Sequence, residues 1–176
     1  MSDFVNGHSP EWSKTSLIMT RQYFAWMNQE FKTVCNCSIE EITGMSVEDY
    51  IMTAMDVISP KDQANALFYL LIDQENAVAM GGLRQLPNGH GEIVRIYTSP
   101  EYRSKGYGSK MLERLILEAK AHGFKMLNLD TGIFMKEAQA MYAAHGFVQC
   151  TPYEGAEPPP QLQPFWLYMQ LDLQKS

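Results

Sequence analysis

The sequence predicts one α+β domain, residues 1–176, built as a mixed sheet flanked by helices. Three observations predict it. Helical apolar periodicity dominates the first third of the chain. A run of strand-like segments joined by short polar turns follows. Beyond residue 100, strand-like and helix-like segments alternate, and both of the helical ones close on glycine.

From Leu17 to Phe31, the residues Ile18, Met19, Gln22, Tyr23, Trp26, Met27 and Phe31 recur at helical spacing and form an aromatic-rich stripe suited to core packing. The segment EEITGMSVEDYIMTAM reads as a turn and a second helix. Gly44 is its break, and Ser46 with Asp49 makes a cap with an acidic third position. NALFYLLID and NAVAMGGLRQL, separated by the polar turn Asp73 to Asn76, read as a β-hairpin. LPNGHG is a second turn, and EIVRIYTS a third strand that Pro100 stops.

A helix then carries Met111, Leu112, Leu115, Ile116 and Ala119 on one face and ends at Gly123. FKMLNLDT is a strand, KEAQAMYAAHGF a short helix and VQC the start of another strand. EGAEPPPQLQP is a proline-rich loop, and FWLYMQLDL a last strand with period-two character.

Composition narrows the function. A net charge of −6 argues against a nucleic-acid binder. No apolar run is long enough for a membrane span, and MSDFVNGHSPEWSK lacks the basic-then-apolar pattern of a signal peptide. Three cysteines make no disulfide framework, and Cys35-Asn36-Cys37 lacks a second ligand pair. The expectation is a cytoplasmic protein with free thiols and no metal.

The stretch YTSPEYRSKGYGSKMLERLILEAKAHGF places Gly106 and Gly108 at the head of a helix, among Arg103, Lys105 and Lys110. Glycines there expose backbone N–H groups that have no intrahelical partner, and the helix dipole adds positive potential. The loop is shaped for phosphate or pyrophosphate. Its spacing fits neither a P-loop nor the dinucleotide fingerprint, where Met111 would have to be glycine.

RSKGYG resembles the Arg/Gln-x-x-Gly-x-Gly/Ala signature of the GNAT superfamily of acetyl-CoA-dependent N-acetyltransferases. EIVRIYTSPEYRSKGYGSKMLERLILEAKAHGFKMLNLDTG is similar to that family's strand, pyrophosphate loop, helix and following strand. AQAMYAAHGF is similar to its later helix. The resemblance is close over residues 92 to 150 and looser elsewhere. It implies a mixed, mostly antiparallel central sheet flanked by helices, with a splayed strand pair holding the CoA arm. It also implies direct transfer from acetyl-CoA, the acyl-donor substrate, to a primary amine of a small molecule or peptide, in a ternary complex.

Carried over by position, the resemblance assigns the pantetheine arm to backbone groups of Ile96, Tyr97 and Thr98. It assigns the pyrophosphate to backbone N–H groups of Arg103, Ser104, Lys105, Gly106, Tyr107, Gly108 and Ser109. Tyr142 matches the family's usual general acid; the plain alternative is a tyrosine packed beside Phe147. Glu92 is the candidate base, roughly 20 Å along its strand from the pyrophosphate end; the alternative is a solvated strand-end glutamate. Asp130 and Thr131 either bind the amine or cap the helix that follows. His90, His122 and His145 read as structural or surface residues, and Cys150 as buried.

A silent acyl-CoA-binding module is the other reading of the whole chain, and it needs neither Tyr142 nor Glu92. The acceptor is set by residues 17–55 and the proline-rich loop, 151–164. The last strand offers an edge that could pair across a homodimer.

Overall fold

A computed structural model describes residues 2–57 and 66–175. Among them, seven strands form one sheet in the order β1-β2-β3-β4-β5-β7-β6. The strands are β1 (Ser2–Asn6), β2 (Leu67–Asp73), β3 (Asn76–Gln85), β4 (Gly91–Thr98), β5 (Met126–Gly132), β6 (Val148–Cys150) and β7 (Trp166–Asp172). All neighbouring pairs are antiparallel except β4 with β5. The mixed α+β architecture is the expected one. Asn65, the first residue of the expected hairpin, lies outside the described residues.

β1 was not foreseen. It has only Phe4 and Val5 as apolar residues, and its place comes from pairing with β2 along Ser2↔Asp73 to Asn6↔Tyr69. A five-residue strand supported by a remote partner leaves little periodicity to read.

Helix α1 (Ser13–Cys35) extends the expected helix at both ends. It buries Met19, Phe24, Met27 and Phe31, but Ile18 stays 45% exposed. What read as a turn before the second helix holds a helix of its own, α2 (Ile39–Thr43). A capping box starts it: the Ser38 hydroxyl accepts from the Glu41 N–H, and the Glu41 carboxylate accepts from the Ser38 N–H. Gly44 ends it at φ 70°. Helix α3 (Val47–Val57) follows, with the Ser46 hydroxyl accepting from the Asp49 N–H at 3.1 Å, as the sequence predicts.

The β2–β3 turn passes through Gln74 and Glu75, both with positive φ, the backbone handedness that matches the twist of a tight hairpin. Helix α4 (Tyr107–Ala121) packs Met111, Leu112, Leu115 and Ala119 under one face of the sheet. Its approach requires Gly81, where a Cβ would lie 2.8 Å from Met111 Cγ. Helix α5 (Lys136–Ala144) lies on this face too, adding Tyr142 to the same core. The opposite face carries α1, α3 and the 3-10 turn Pro160–Phe165.

Two features of β4 create the site. Gly82 pairs with Val94, but Met80 pairs with Tyr97, so β4 carries an extra residue opposite β3. Arg95 lies in that bulge at φ 55°. β4 also pairs with β5 only over Gly91–Ile93 and Leu127–Leu129, and beyond that the two parallel strands part. The last strand corrects one expectation. β7 is hydrogen-bonded to β5 along its length and to β6 from Tyr168 to Gln170, so it offers no continuous free edge for pairing across a dimer.

Candidate active site

A cleft of about 660 Å³ opens where β4 and β5 part. The loop and N-terminus of α4 line one end, Tyr142 and Asp130 line the wall from α5 and β5, and Tyr23 and Trp26 of α1 line the other side.

At the loop, Ser104 and Gly106 both have positive φ, at 62° and 81°. This alternation turns successive N–H groups inward, the geometry of an anion-binding nest. Gly106 caps α4 with no side-chain hydrogen bond. Among the described residues, the N–H groups of Ser104, Lys105, Gly106, Tyr107, Gly108 and Ser109 have no acceptor in the protein; the first loop-closing bond is Lys110 N–H to Gly106 O at 3.0 Å. Arg103 departs from expectation. Its N–H donates to Pro100 O, so its contribution to the cleft is its side chain. Its Nε donates to Thr98 O at 3.2 Å, and its guanidinium sits 5.1 Å from the Trp26 ring and 5.9 Å from that of Tyr97. The Lys105 ammonium rests 5.2 Å over Tyr102. Tyr107 ties the helix start to the β2–β3 turn through a 2.5 Å bond to Asp73.

The ladder decides which backbone groups of β4 face the cleft. Ser99 N–H donates to Val78 O at 3.1 Å. Alternation from there makes Met80/Tyr97 a bonded pair and Ala79/Thr98 a non-bonded one. Ile96 and Thr98 therefore turn their backbone groups away from β3, towards the gap left by β5. Tyr97, expected to do the same, has its backbone directed at Met80 and brings its ring instead, 5.8 Å from Tyr23 and 6.3 Å from Trp26.

Tyr142 is 6% exposed, and its ring lies 6.0 Å from Phe147. Among the described residues no group bonds its hydroxyl, although the residue lines the cleft. Burial first, and the charge of Asp130 second, push its pKa up, so the phenol keeps its proton.

Glu92 is not a solvated strand-end residue, nor does it line the cleft. It is 0% exposed. Its Oε2 accepts from Arg84 Nε at 2.5 Å and its Oε1 from the Tyr153 hydroxyl at 2.8 Å. Arg84 also donates to Gly155 O, 2.5 Å away. Burial raises the Glu92 carboxyl to about 7, opposed by Arg84 and by the Tyr153 hydrogen bond. With both oxygens engaged inside the protein, Glu92 holds the 151–155 segment to the sheet.

Asp130 has the position that Glu92 lacks. It lies on the same sheet face, because Glu92 pairs with Asn128 and Asp130 is two residues on. It lines the cleft and is half-buried. Burial pushes its carboxyl well above the usual range, with the charges of Glu92 and Glu157 adding; Trp166 and the charge of Arg84 pull the other way. The helix-capping reading of Asp130 and Thr131 fails. The N-cap of α5 is Met135, without a side-chain bond, and Thr131 is buried with its hydroxyl unpartnered.

The other buried charges went unread. Arg95 is buried and ion-paired with Glu157 of the proline-rich segment, and it also donates to the carbonyl of Ala54 in α3. Nothing local marks such a pair, which spans 62 positions. The histidines follow expectation: Nδ1 of His122 and of His145 each lies 2.8 Å from the carbonyl four residues before it. Cys35, Cys37 and Cys150 are free thiols. Among the described residues no helix is long and apolar enough to cross a membrane.

The profile of the acetyltransferase (GNAT) family matches residues 20–147. Over 131 residues the chain is 28% identical to YsnE of Bacillus subtilis (strain 168), named as an uncharacterized N-acetyltransferase; the match covers 65% of this chain and 87% of that protein. It is 35% identical to the IAA acetyltransferase of Azospirillum brasilense over 72 residues, covering 41% and 47% respectively. In fold it is similar to a GNAT-family acetyltransferase of Staphylococcus aureus Mu50, with a TM-score of 0.71 at 16% identity over 98% of this chain and 99% of that one. It is also similar to the PaiA N-acetyltransferase of Thermoplasma acidophilum, solved in complex with coenzyme A, with a TM-score of 0.70 at 17% identity and the same coverage.

Proposed function

The chain belongs to the acetyltransferase (GNAT) family and is an acetyl-CoA-dependent acyltransferase, and on that premise we propose that it transfers the acetyl group directly to a primary amine within a ternary complex. One observation carries the reading. A proton donor with no partner among the described residues, Tyr142, and a half-buried carboxylate, Asp130, line the same cleft as the unpartnered loop N–H groups.

The donor supplies a thioester, whose acyl carbon a neutral amine attacks and whose sulfur leaves as thiolate. The N–H groups of Ser104 to Ser109 hold the pyrophosphate, helped by the positive end of α4. Backbone groups of Ile96 and Thr98 pair with the pantetheine arm as an added strand would. That contact runs along the gap towards Tyr142 and Asp130.

Two proton movements remain. The acceptor arrives as an ammonium ion and gives one proton to the Asp130 carboxylate, leaving a neutral amine. Attack forms the C–N bond, the C–S bond breaks, and the Tyr142 hydroxyl gives its proton to the departing sulfur. The proton from the new amide nitrogen and the one on Asp130 leave through solvent, from which the tyrosine recovers its own. The base role moves from Glu92 to Asp130 because a base must reach the amine, and Glu92 is enclosed between Arg84 and Tyr153.

Release of free thiol from acetyl-CoA in the presence of pooled primary amines, with mass detection of the acetylated product, tests the proposal. Binding of acetyl-CoA without amine-dependent thiol release would leave a silent binding module.

A further inference from the structure

One amine in the cleft belongs to the chain itself. Lys136, the first residue of α5, lines the cleft, and among the described residues it is the only lysine that does. It is exposed, and among the described residues its ammonium group has no ion pair, hydrogen bond or ring contact. The other two cationic side chains of the cleft are held, Arg95 against Glu157 and Arg103 against Thr98 O and the Trp26 ring.

Lys136 gives its helix nothing by its charge. The first turn of a helix is the positive end of the dipole, where a cation is unfavourable. The N-cap, Met135, makes no side-chain hydrogen bond, and the one acid of the first turn is Glu137. Adjacent residues on a helix do not face each other, so Glu137 is no natural partner.

The helix also brings this amine towards the point of transfer. Lys136 and Tyr142 are on one helix and line one cleft, as do Ala138 and Met141. The spacing of Lys136 and Tyr142 corresponds to about 9 Å along the axis. Helix side chains lean towards the N-terminus, which carries the Tyr142 ring back towards the turn of Lys136. No earlier turn constrains a side chain at the first position, and lysine has a long, flexible stem that can follow the wall. An amine tethered in this way meets a bound thioester at an effective concentration far above that of a dissolved amine.

We propose that the chain acetylates itself, in cis, on Nζ of Lys136. This rests on the transfer reading of the cleft and goes beyond it, because the acceptor is the protein. One ammonium proton passes to the Asp130 carboxylate. The neutral Nζ attacks the thioester carbon, the C–N bond forms, the C–S bond breaks, and the sulfur takes the Tyr142 proton. The new amide nitrogen sheds its extra proton to solvent. The products are an Nε-acetyl-lysine and the thiol of CoA, and the start of α5 loses its unpaired positive charge.

The test uses the purified chain, acetyl-CoA and no added amine. Intact mass and peptide mapping are expected to find one acetyl group, on Lys136, formed at a rate independent of protein concentration. Lys14, Lys32 and Lys125 are exposed and lie outside the cleft, so they report chemical acetylation in the same tube. Lys136 is expected to react at least about tenfold faster than any of them. Excess CoA, which fills the cleft with no acetyl group to give, should suppress labelling of Lys136 and leave the other three unchanged. Equal labelling of the four lysines, labelling that CoA does not suppress, a rate that rises with protein concentration, or an unlabelled Lys136 overturns the inference. An unlabelled Lys136 beside thiol release with pooled amines would leave the transfer reading standing. Thiol release in neither experiment would remove both.

Discussion

Glu92 and Asp130 lie on one face of the sheet, on adjacent parallel strands and two ladder positions apart, yet only Glu92 has a guanidinium against it. The same sheet thus carries one carboxylate enclosed by Arg84 and Tyr153 and one that lines the cleft. The pH profile should separate them. A base works only when deprotonated, and burial holds the Asp130 carboxyl above the usual range. Activity should therefore fall towards acid along a limb set higher than an ordinary aspartate would set it. Asp130→Asn should remove that limb together with most of kcat. Glu92→Gln should keep it. Steady-state kcat/KM measured from acid to mildly alkaline pH on both variants decides the matter; loss of the limb in Glu92→Gln would return the base role to Glu92.

Glu92 should instead appear in stability. Its carboxyl is raised from 4.5 to about 7 in the folded protein, so folding favours its protonated form. The contribution is fully present below the unfolded pKa of about 4.5 and is lost as pH rises through about 7. Relative to Glu92→Gln, whose side chain does not titrate, the native chain should lose on the order of 3 kcal/mol across that window. Urea unfolding of both chains at several pH values measures the difference. A difference that stays flat, or that grows in favour of the native chain with rising pH, would show that Arg84 outweighs burial.

The two loop glycines should fail differently. Gly106 sits at φ 81°, where an added Cβ meets nothing but the backbone conformation itself costs an L-residue about 1–2 kcal/mol. Gly108 has ordinary helical backbone, and its Cβ would project between Met141 Sδ at 3.4 Å and Thr98 Oγ1 at 3.5 Å, on the cleft wall. Gly108→Ala should therefore leave melting temperature unchanged or slightly raised while weakening acetyl-CoA binding. Gly106→Ala should lower both. Lys105→Ala should change affinity by less than about 1 kcal/mol, because its ammonium is exposed and rests on Tyr102. Calorimetry with acetyl-CoA and thermal melts of the three variants distinguish these outcomes.

Tyr142→Phe removes a hydroxyl that nothing in the described protein bonds, and it keeps the ring against Phe147. Stability should hardly move. If the hydroxyl is the general acid, kcat should fall about 10²- to 10⁴-fold with little change in the KM for acetyl-CoA. Full turnover in the Phe variant would remove Tyr142 from the mechanism.

The sequence by itself determined what is local. Helix periodicity, the Ser46–Asp49 cap, the hairpin turn at Gln74 and Glu75, the glycine loop ahead of α4 and the glycine after each of the two later helices all depend on residues a few positions apart, and the structure has them. Spacing also placed the loop N–H groups at the head of a helix, whereas Tyr142 was singled out by the resemblance of its helix to that of the GNAT family. Tertiary structure alone decided which acid faces the cleft. Glu92 is closed off by Arg84 from the next strand and by Tyr153, 61 positions away, and Glu157 reaches Arg95 across 62. The missing β1 and the crowded β7 have the same origin, since each is defined by a distant strand. Burial and charge pairing are sums over neighbours in space, so identical carboxyl groups acquire opposite tasks only once the chain has brought those neighbours together.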